Sequence, residues 1–424
     1  MADLGKVAYD LALKPIDYPE NFPWKPFRIF KIGKRKYVTD YNPKRNRNPG
    51  VGKTYYVTVS GSGTNDGLSW ETPLGRIYQA LQKPDCDVVI VGPGVYGKSA
   101  GFSTVTPTRD TAIIGVGNVI ISNHDSALVW TATVGYTNVW QATRTYITDV
   151  YDAKNINEKG DYTKLTLQTS IDDVDANPNS YYIDANDIVY IKTFDLRVPD
   201  SGIRVFVNTV NNNITNPNAL YMENINFHGG AVGFQCVGTG DRPTIIGKHC
   251  KFKYATGNGL QSVGCITYMV DSEASANGAD GFNYHASAGL IPYFAEIDCI
   301  GRDNGATEDN DNGSTAHDGA VGIRVNGEYY GNKGPNVIDI NDNTISLNVG
   351  VESYSSTSAT DSNRNNFSTY GDTVIGSKMY LLDCYSHGTS IYNAKITAYG
   401  NMFTKDCQFD IEADYISGGA LNTF

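Results

Sequence analysis

KFKYATGNG at residues 251–259 is followed by SEASANGADG at 272–281 and DCIGRDNG at 298–305, which together form a loose repeat. Each unit is a short alternating run that ends in Asn-Gly or Asp-Gly. The interval from Asn258 to Asp280 is 22 residues, and that from Asp280 to Asn304 is 24. Repeats of roughly 20 to 50 residues indicate stacked supersecondary units. Because the units alternate and contain no helical pattern, the stack is predicted to consist of strands.

The composition agrees with an all-β solenoid of the parallel β-helix kind, in which one coil takes roughly this number of residues. The chain has 424 residues, with 44 glycines and 29 tyrosines, which suits strands joined by many turns. A solenoid of this length counts as one domain, because each coil contacts only its neighbours. Seven cysteines occur without a paired motif, so we expect buried free thiols rather than a disulfide framework.

Residues 1–53 differ from the rest of the chain and are predicted to form a separate N-terminal arm. The formal net charge is −11, yet residues 25–53 carry ten basic side chains and one acid, Asp40. Prolines crowd the arm and exclude regular helix or a central strand. Aromatic side chains between the prolines need burial, so we expect an extended arm that lies on a partner protein or on a neighbouring subunit. A disordered leader is the alternative.

Residues 54–126 are predicted to begin the solenoid. A strand at 54–59 leads to the turn cluster GSGTNDG at 61–67, and Thr72-Pro73 predicts the start of a short helix whose apolar face includes Leu74 and Ile77. A buried strand, DVVIV, follows at 87–91. This order resembles the first part of right-handed parallel β-helix proteins of the pectate-lyase-like superfamily. The resemblance implies that the helix covers the open end of the coil.

The coil period is lost between residues 127 and 207, where alternating runs such as 188–192 predict an inserted β-segment. Regular coils resume in the main β-helix at 208–424. The Ser, Thr and Asn-rich stretch 353–371 is predicted to be a loop that leaves the coil.

Acidic and basic side chains concentrate between residues 280 and 324. A period of 23 is predicted to stack Asp280 beside Asp303, because neighbouring coils lie roughly 4.8 Å apart. We select these side chains as candidate catalytic residues: Asp280, Asp303, His285, His317, Asp318 and Arg324. The candidate substrate-binding residues are Asn283, Tyr284, Glu296 and Arg302.

Two chemistries fit this set. A carboxylate pair can hydrolyse a glycosidic bond, and a His, Arg or Lys base can abstract a proton from a uronic acid for elimination. The alternative is that Asp-Gly pairs only make turns. The stretch DGFNYH at 280–285 is similar to the Asp-Gly-Phe-Asp-Pro-His motif of alginate C5-epimerases. Asn283 and Tyr284 depart from that motif, so we do not infer epimerase activity from the similarity.

No cofactor is predicted. The acidic loop from Glu308 to Asp311 offers a calcium site as an alternative to a solvated loop, and it departs from the EF-hand pattern at Gly319. Met1 to Lys6 lacks the pattern of a signal peptide, and no run approaches the roughly 18 apolar residues of a membrane span. We therefore expect no membrane insertion. We also expect no nucleic-acid partner, because the basic arm is predicted to dock on a protein.

A β-helix behind a basic, proline-rich arm resembles a bacteriophage tail-spike or another tail-associated receptor-binding protein. The resemblance implies a homotrimer in the virion, assembled in the host cytoplasm, that binds host surface glycan and attaches to other tail proteins through residues 1–53. Whether it also cleaves the glycan stays open. The alternatives are a non-enzymatic structural or adhesion protein of the virion, and a free polysaccharide lyase or hydrolase.

Overall fold

The computed structural model describes residues 13–97, 101, 106–125, 127–209, 212–305, 310–411 and 414–424. It confirms an all-β chain built as a parallel β-helix. Each regular coil contributes one strand to each of three parallel sheets, which we call sheets 1, 2 and 3 in the order in which a coil such as 260–275 visits them. Within the described residues, no helix is long and apolar enough to cross a membrane.

Sheet 1 has nine strands: Asn213–Thr215, Phe234–Val237, Leu260–Val263, Phe282–His285, Ser314–Ala316, Val337–Ile340, Asn365–Tyr370, Tyr392–Thr397 and Tyr415–Ser417. Sheet 2 runs through Lys53–Val57, Cys86–Val91, Thr111–Ser122, Ala219–His228, Thr244–Lys248, Ile266–Val270, Tyr293–Ile297, Val321–Val325, Ile345–Val349, Lys378–Leu382, Asn401–Lys405 and Ala420–Thr423. Sheet 3 contains Gly94–Tyr96, the second halves of the two long strands of sheet 2, and Lys251–Lys253, Glu273–Ser275, Ile300–Arg302, Glu328–Tyr330, Glu352–Tyr354, Tyr385–His387 and Gln408–Phe409.

The inserted segment folds into two small sheets of its own. Their strands are Thr131–Ala132, Trp140–Thr143, Ile147–Ile156, Tyr162–Lys164, Thr166–Leu167, Ser180–Ile183, Ile188–Lys192 and Ile203–Val207, with helix Ile171–Ala176 between them. Most pairings are antiparallel, as suits hairpins rather than coils. The segment has an apolar cluster that includes Val150, Val189 and Val205.

A sharp corner recurs between sheets 2 and 3. In successive coils one residue directly after the sheet 2 strand adopts a positive φ of 49–62°. These residues are His249, Asp271, Asp298, Asn326, Gly350, Asp383 and Asp406. Gly, Asn and Asp tolerate this left-handed conformation best, which accounts for most of the residues at this corner. The next residue points inward, which places Cys250, Cys299 and Cys384 in the core as the predicted free thiols.

Buried asparagines link the coils at the corner between sheets 3 and 1. The Asn277 Nδ2 donates to Asn304 Oδ1 at 2.9 Å, and the Asn304 Nδ2 donates to Asn332 Oδ1 at the same distance. Asn336 and Asn366 continue the row. Each amide also donates to a backbone carbonyl, such as Asn304 to Ala274. The row satisfies polar groups that no water reaches, and it fixes how one coil sits on the next.

The N-terminal arm lies on the chain's own β-helix. It forms a hairpin, Ile29–Gly33 with Lys36–Thr39, and a short 3-10 helix at Pro43–Asn46. Its aromatic residues, which we expected to be buried on a partner protein or neighbouring subunit, cover the outer face of sheet 2 instead. Trp24 packs between Tyr268 and Tyr293, with ring centroids 5.7 and 5.5 Å away.

Polar contacts fasten the far end of the arm. Tyr37 exchanges two hydrogen bonds with Asn326, at 3.0 and 2.8 Å. The Tyr37 hydroxyl donates to Asp383, and the Lys31 ammonium lies 2.7 Å from the same carboxylate. The apolar side of residues 13–53 therefore packs on the chain's own β-helix, and attachment of the arm to another protein stays a prediction. The arm shields the apolar outer face of sheet 2 from solvent.

The helix near the first strand is shorter than predicted. It spans Ile77–Leu81, and the predicted start at Thr72-Pro73 is wrong. The Thr72 hydroxyl donates to Asp66 at 2.6 Å, which stabilises the preceding turn, and Leu74 forms a bridge with Val57. Ile77 and Leu81 are buried in the main core cluster beside the edge strand Lys53–Val57.

Replacing Asn304 with alanine should destabilise the β-helix by about 3 kcal/mol, because the backbone and amide partners of a fully buried side chain lose their hydrogen bonds. The matched control is Asn48→Ala at an exposed position, which should change stability by less than about 0.5 kcal/mol. Urea unfolding followed by circular dichroism measures both. Equal stabilities for the two variants would show that the asparagine row does not hold the coils in register.

Candidate functional site

A groove lies on the outer face of sheet 1. Its cavity has a volume of about 340 Å³. The floor is formed by outward side chains of successive strands, and the rim by residues of the loops 310–312, 335 and 363. The described lining residues include Asp280, Asn312, Thr315, His317, Ile338, Ile340, Ser368, Tyr370, Lys395 and Thr397.

The register of sheet 1 decides which side chains reach the groove. Asn283 pairs with Thr315, and Thr315 pairs with Ile338, so these side chains form one outward column. Alternate residues face the core, as with Tyr284 and Ala316, which are fully buried. Polar residues at every second position of a strand thus produce a polar surface along the coils.

Asp280 lies at the floor of the groove, directly before the strand Phe282–His285. The Asn283 Nδ2 donates to Asp280 Oδ2 at 2.6 Å. The backbone N–H and the side-chain amide of Asn312 donate to Asp280 Oδ1 at 2.8 and 3.0 Å. The Asp280 side chain therefore joins its own coil to the next one.

Burial raises the pKa of Asp280, although hydrogen bonds from Asn283, Asn312 and Thr315 act in the opposite direction. The residue is 8% exposed and yet lines an open cavity. A carboxyl group that keeps its proton to a higher pH than usual can serve as a general acid. Perturbed carboxyl groups in a cleft are typical of functional sites, and structural networks also produce them.

His317 lines the same groove as Asp280, and His285 lies beside His317. Their imidazole rings stack, with centroids 4.0 Å apart. The Asn283 Nδ2, which contacts Asp280, is also 3.3 Å from His317 Nε2. Burial, with the neighbouring His285, lowers the pKa of His317 to about 3. His317 is therefore neutral near pH 7, and its Nε2 accepts a hydrogen bond from the amide.

Asp318 orients the second histidine. Its Oδ2 lies 3.1 Å from His285 Nδ1. A carboxylate in that position fixes the proton on Nδ1 and leaves Nε2 as the basic nitrogen. Asp318 also has a positive φ of 57°, so the turn alternative holds for its backbone as well. The same residue thus serves the turn and the histidine.

Lys395 and Tyr370 line the other end of the groove and were not among the predicted site residues. The Lys395 Nζ donates to Asn363 Oδ1 at 2.6 Å, and burial lowers the pKa of the ammonium. Both residues lie in later strands of sheet 1, outside the interval in which charged residues concentrate. An alignment of coils by their strands, rather than by Asn-Gly pairs, would have placed Lys395 in the same outward column as Asn283.

Asp303 does not stack on Asp280, and this prediction is wrong. Asp280 precedes a strand of sheet 1, whereas Asp303 follows a strand of sheet 3 with a φ of 53°. The residue in the next coil that meets Asp280 is Asn312, 32 residues on, because a loop lengthens this coil. Asp303 instead contacts Lys159 of the inserted segment, with both oxygens 2.8 Å from the ammonium.

Arg302 also binds the inserted segment rather than a substrate. Its guanidinium donates to Asp161 at 2.7 and 3.1 Å and to Glu273 at 2.6 Å. Lys253 lies 2.7 Å from Asp161 and completes a network in which buried charges are paired. Arg302 is 4% exposed, and the network attaches the segment to sheet 3.

Glu296 and Arg324 are paired in neighbouring strands of sheet 2 and lie inside the β-helix. Both are fully buried, and Arg324 also contacts Asp339 at 3.3 Å. The Tyr329 hydroxyl and Ser314 hydroxyl donate to Glu296 at 2.6 Å. The candidate roles of Arg324 in catalysis and Glu296 in substrate binding are therefore wrong, since neither reaches the surface.

Tyr284 is another predicted substrate-binding residue that the structure places in the core. It is fully buried, and its ring stacks on Phe294 with centroids 3.9 Å apart. Asn283, its neighbour in the strand, points outward and donates to Asp280. Because side chains alternate between the two faces of a strand, Tyr284 faces the core and Asn283 faces outward.

The predicted calcium loop falls partly outside the described residues, which exclude Glu308 and Asp309. Asn310 and Asp311 line the groove. Among the residues that the structure describes, no group of three or more His, Cys, Asp and Glu side chains is arranged to hold a metal ion.

Comparisons with known proteins give remote similarities. No protein-family model matches the sequence, and no curated protein matches it. A solved structure described as a glycoside hydrolase is 9% identical, with a TM-score of 0.45, over 88% of this chain and 96% of that chain. A pectate lyase is 10% identical, with a TM-score of 0.44, over 88% and 79%. The tailspike protein of a Pseudomonas phage is 10% identical, with a TM-score of 0.31, over 80% and 66%. These identities are too low to assign a reaction.

The raised pKa of Asp280 predicts how stability depends on pH. A carboxyl group with a higher pKa in the folded state stabilises the fold below its unfolded pKa, and this contribution is lost as pH rises through the folded pKa. The difference in unfolding free energy between the native protein and Asp280→Asn should therefore fall as pH rises from about 4, by up to about 1.4 kcal/mol per pH unit. Urea unfolding over a pH series measures it.

Glu273→Gln is the control, because its effect on the unfolding free energy should change with pH in the opposite direction. Burial alone would raise the pKa of Glu273, but Lys253 and Arg302 lower it to about 2. Its contribution is present above the unfolded pKa and is lost as pH falls through the folded pKa. If the difference in unfolding free energy between the native protein and Asp280→Asn stays constant or rises with pH, the pKa of Asp280 is not raised in the folded state.

Proposed function

We propose that this protein binds polysaccharide in the groove on sheet 1 and cleaves it by acid–base catalysis. The observation that supports the proposal is that Asp280 and His317 line one open groove, with the His285–Asp318 pair stacked against His317. Of the ten predicted site residues, five meet at or beside the groove floor: Asp280, Asn283, His285, His317 and Asp318. A carboxyl group with a raised pKa is the usual general acid of glycoside cleavage, and an oriented histidine can act as a general base.

In this mechanism Asp280 is the general acid. Its proton passes to the glycosidic oxygen as the bond from that oxygen to the anomeric carbon breaks. His285, oriented by Asp318, takes a proton from the attacking water at Nε2. His317 stays neutral and, with Asn283, holds the Asp280 carboxyl in place. Elimination is the second chemistry, with His285 as the base that abstracts a proton from the sugar ring.

We further propose that the protein acts in the tail of a bacteriophage, as a homotrimer that meets host surface glycan. Support comes from the arm: its apolar side covers sheet 2, and exposed basic side chains such as Lys25, Lys36 and Lys44 remain on its outer side. That surface suits an acidic site on another tail protein. A monomer in sedimentation, with no binding of tail proteins that depends on the arm, would count against this context.

A protein that binds glycan without cleaving it is the second candidate. The hydrogen bonds that Asp280 accepts from Asn283 and Asn312 favour it, because they give the carboxylate a structural role between coils. In that case the groove recognises the polymer, and the virion uses the β-helix for adhesion.

The test measures the release of reducing ends and of unsaturated sugars from capsule, O-antigen and cell-wall polymers. Asp280→Asn and His285→Gln should each lower the rate by about 100-fold or more, as expected when a general acid or base is lost. The native protein should lose activity as pH rises through the pKa of Asp280. Unsaturated products would identify elimination.

Asp303→Asn is the matched control, because Asp303 contacts Lys159 away from the groove and should leave the rate unchanged. Binding of polymer without any product would favour the second candidate. Full activity in Asp280→Asn would exclude Asp280 as the acid.

A further inference from the structure

We infer that the polymer bound in the groove is an uncharged glycan, recognised through hydroxyl groups that donate hydrogen bonds. The inference rests on the proposed function, since it names the substrate class of the same groove. It selects hydrolysis over elimination, because the elimination considered above needs a uronic acid. It follows from the charge of the lining, from the kind of polar atom that lacks a partner, and from the side chains that extend the groove along sheet 1.

The lining offers little positive charge to an anionic polymer. Among the described lining residues Lys395 is the one cation near pH 7, because His317 is neutral. The Lys395 ammonium already donates to Asn363 at 2.6 Å. Asp280 and Asp311 supply carboxyl groups, and the whole chain has a net charge of −11. A polymer with a carboxylate on each sugar would meet repulsion along this surface.

The buried polar atoms that lack a partner beside Asp280 are acceptors. The side-chain oxygens of Asn283 and Asn312 are both inaccessible to solvent and accept no hydrogen bond in the protein. Both amide nitrogens already donate to Asp280. A buried acceptor without a donor destabilises the site, so a small shift of these amides toward a ligand donor is favourable. A sugar hydroxyl provides that donor, whereas an ionised carboxylate can only accept.

Amide side chains continue the same surface toward the N-terminal coils. Gln261 pairs with Asn283, and Gln235 pairs with Gln261, in the same outward column of sheet 1. The Gln235 Nε2 donates to Gln261 Oε1 at 2.9 Å. Each coil adds one uncharged donor and acceptor at a spacing of roughly 4.8 Å. Successive sugars of an extended neutral chain could each meet one amide, and the cation that this column does contain, Lys395, lies three strands beyond Thr315 at the other end of the groove.

The experiment compares polymers that differ only in charge. Polygalacturonate is matched with its methyl ester, and hyaluronan with its carboxyl-reduced form, alongside neutral dextran, galactomannan and β-glucan. Affinity electrophoresis at low and high salt measures binding to the full chain. We expect a neutral polymer to bind at least about tenfold more tightly than any anionic one, with little change on adding salt.

Gln261→Lys sharpens the comparison, because it adds a cation to the column outside the proposed catalytic group. It should weaken binding of the neutral polymer and strengthen binding of its charged counterpart. Tight, salt-sensitive binding of an anionic polymer by the native protein would overturn the inference while leaving the proposed function in place. Binding of no polymer in the set, nor of extracted bacterial surface polysaccharide, would instead overturn the proposed function and the inference with it.

Discussion

The hydrogen-bonded register between successive coils is the constraint on which the rest of this structure depends. Each parallel strand pairs with the strand one coil later, so a residue has a defined neighbour above and below it. The buried asparagine row, the cysteines at the corner and the outward columns of sheet 1 all result from this pairing. A change of one position would exchange core and groove residues, because side chains alternate along a strand.

The fold could be predicted from the sequence because its signals are local. Alternating strands and Asn-Gly or Asp-Gly pairs recur in each coil, and the corner after sheet 2 requires residues that tolerate a positive φ. The exact register could not be predicted, because coil length varies. Asn258 and Asp280 are 22 residues apart, whereas Asp280 and Asn312 are 32 apart, and both pairs join equivalent positions. A fixed period therefore placed Asp303 in the wrong column.

The candidate site was predicted in part, because some of its residues are close together in the sequence. Asn283 and His285 lie in one strand with Asp280 two residues before it, and His317 and Asp318 directly follow the paired strand of the next coil, so local spacing sufficed to group them. Arg302 and Glu296 were misassigned because charge alone does not reveal a buried partner. Arg302 contacts an inserted segment more than a hundred residues earlier in the chain, and Glu296 meets Arg324 inside the coil. Lys395 was missed since it comes three strands later in sheet 1 than Thr315.

The arm on sheet 2 has a consequence for how the solenoid comes apart. A stack in which each coil touches only its neighbours can unravel from one end, coil by coil. Here residues 24–37 hold Tyr268, Asn326 and Asp383 at once, and these belong to coils far apart along the axis. The coils that the arm contacts cannot separate from one another until the arm's contacts with sheet 2 are broken. The β-helix should therefore yield to pulling force as one unit, with a single large rupture rather than a series of small steps.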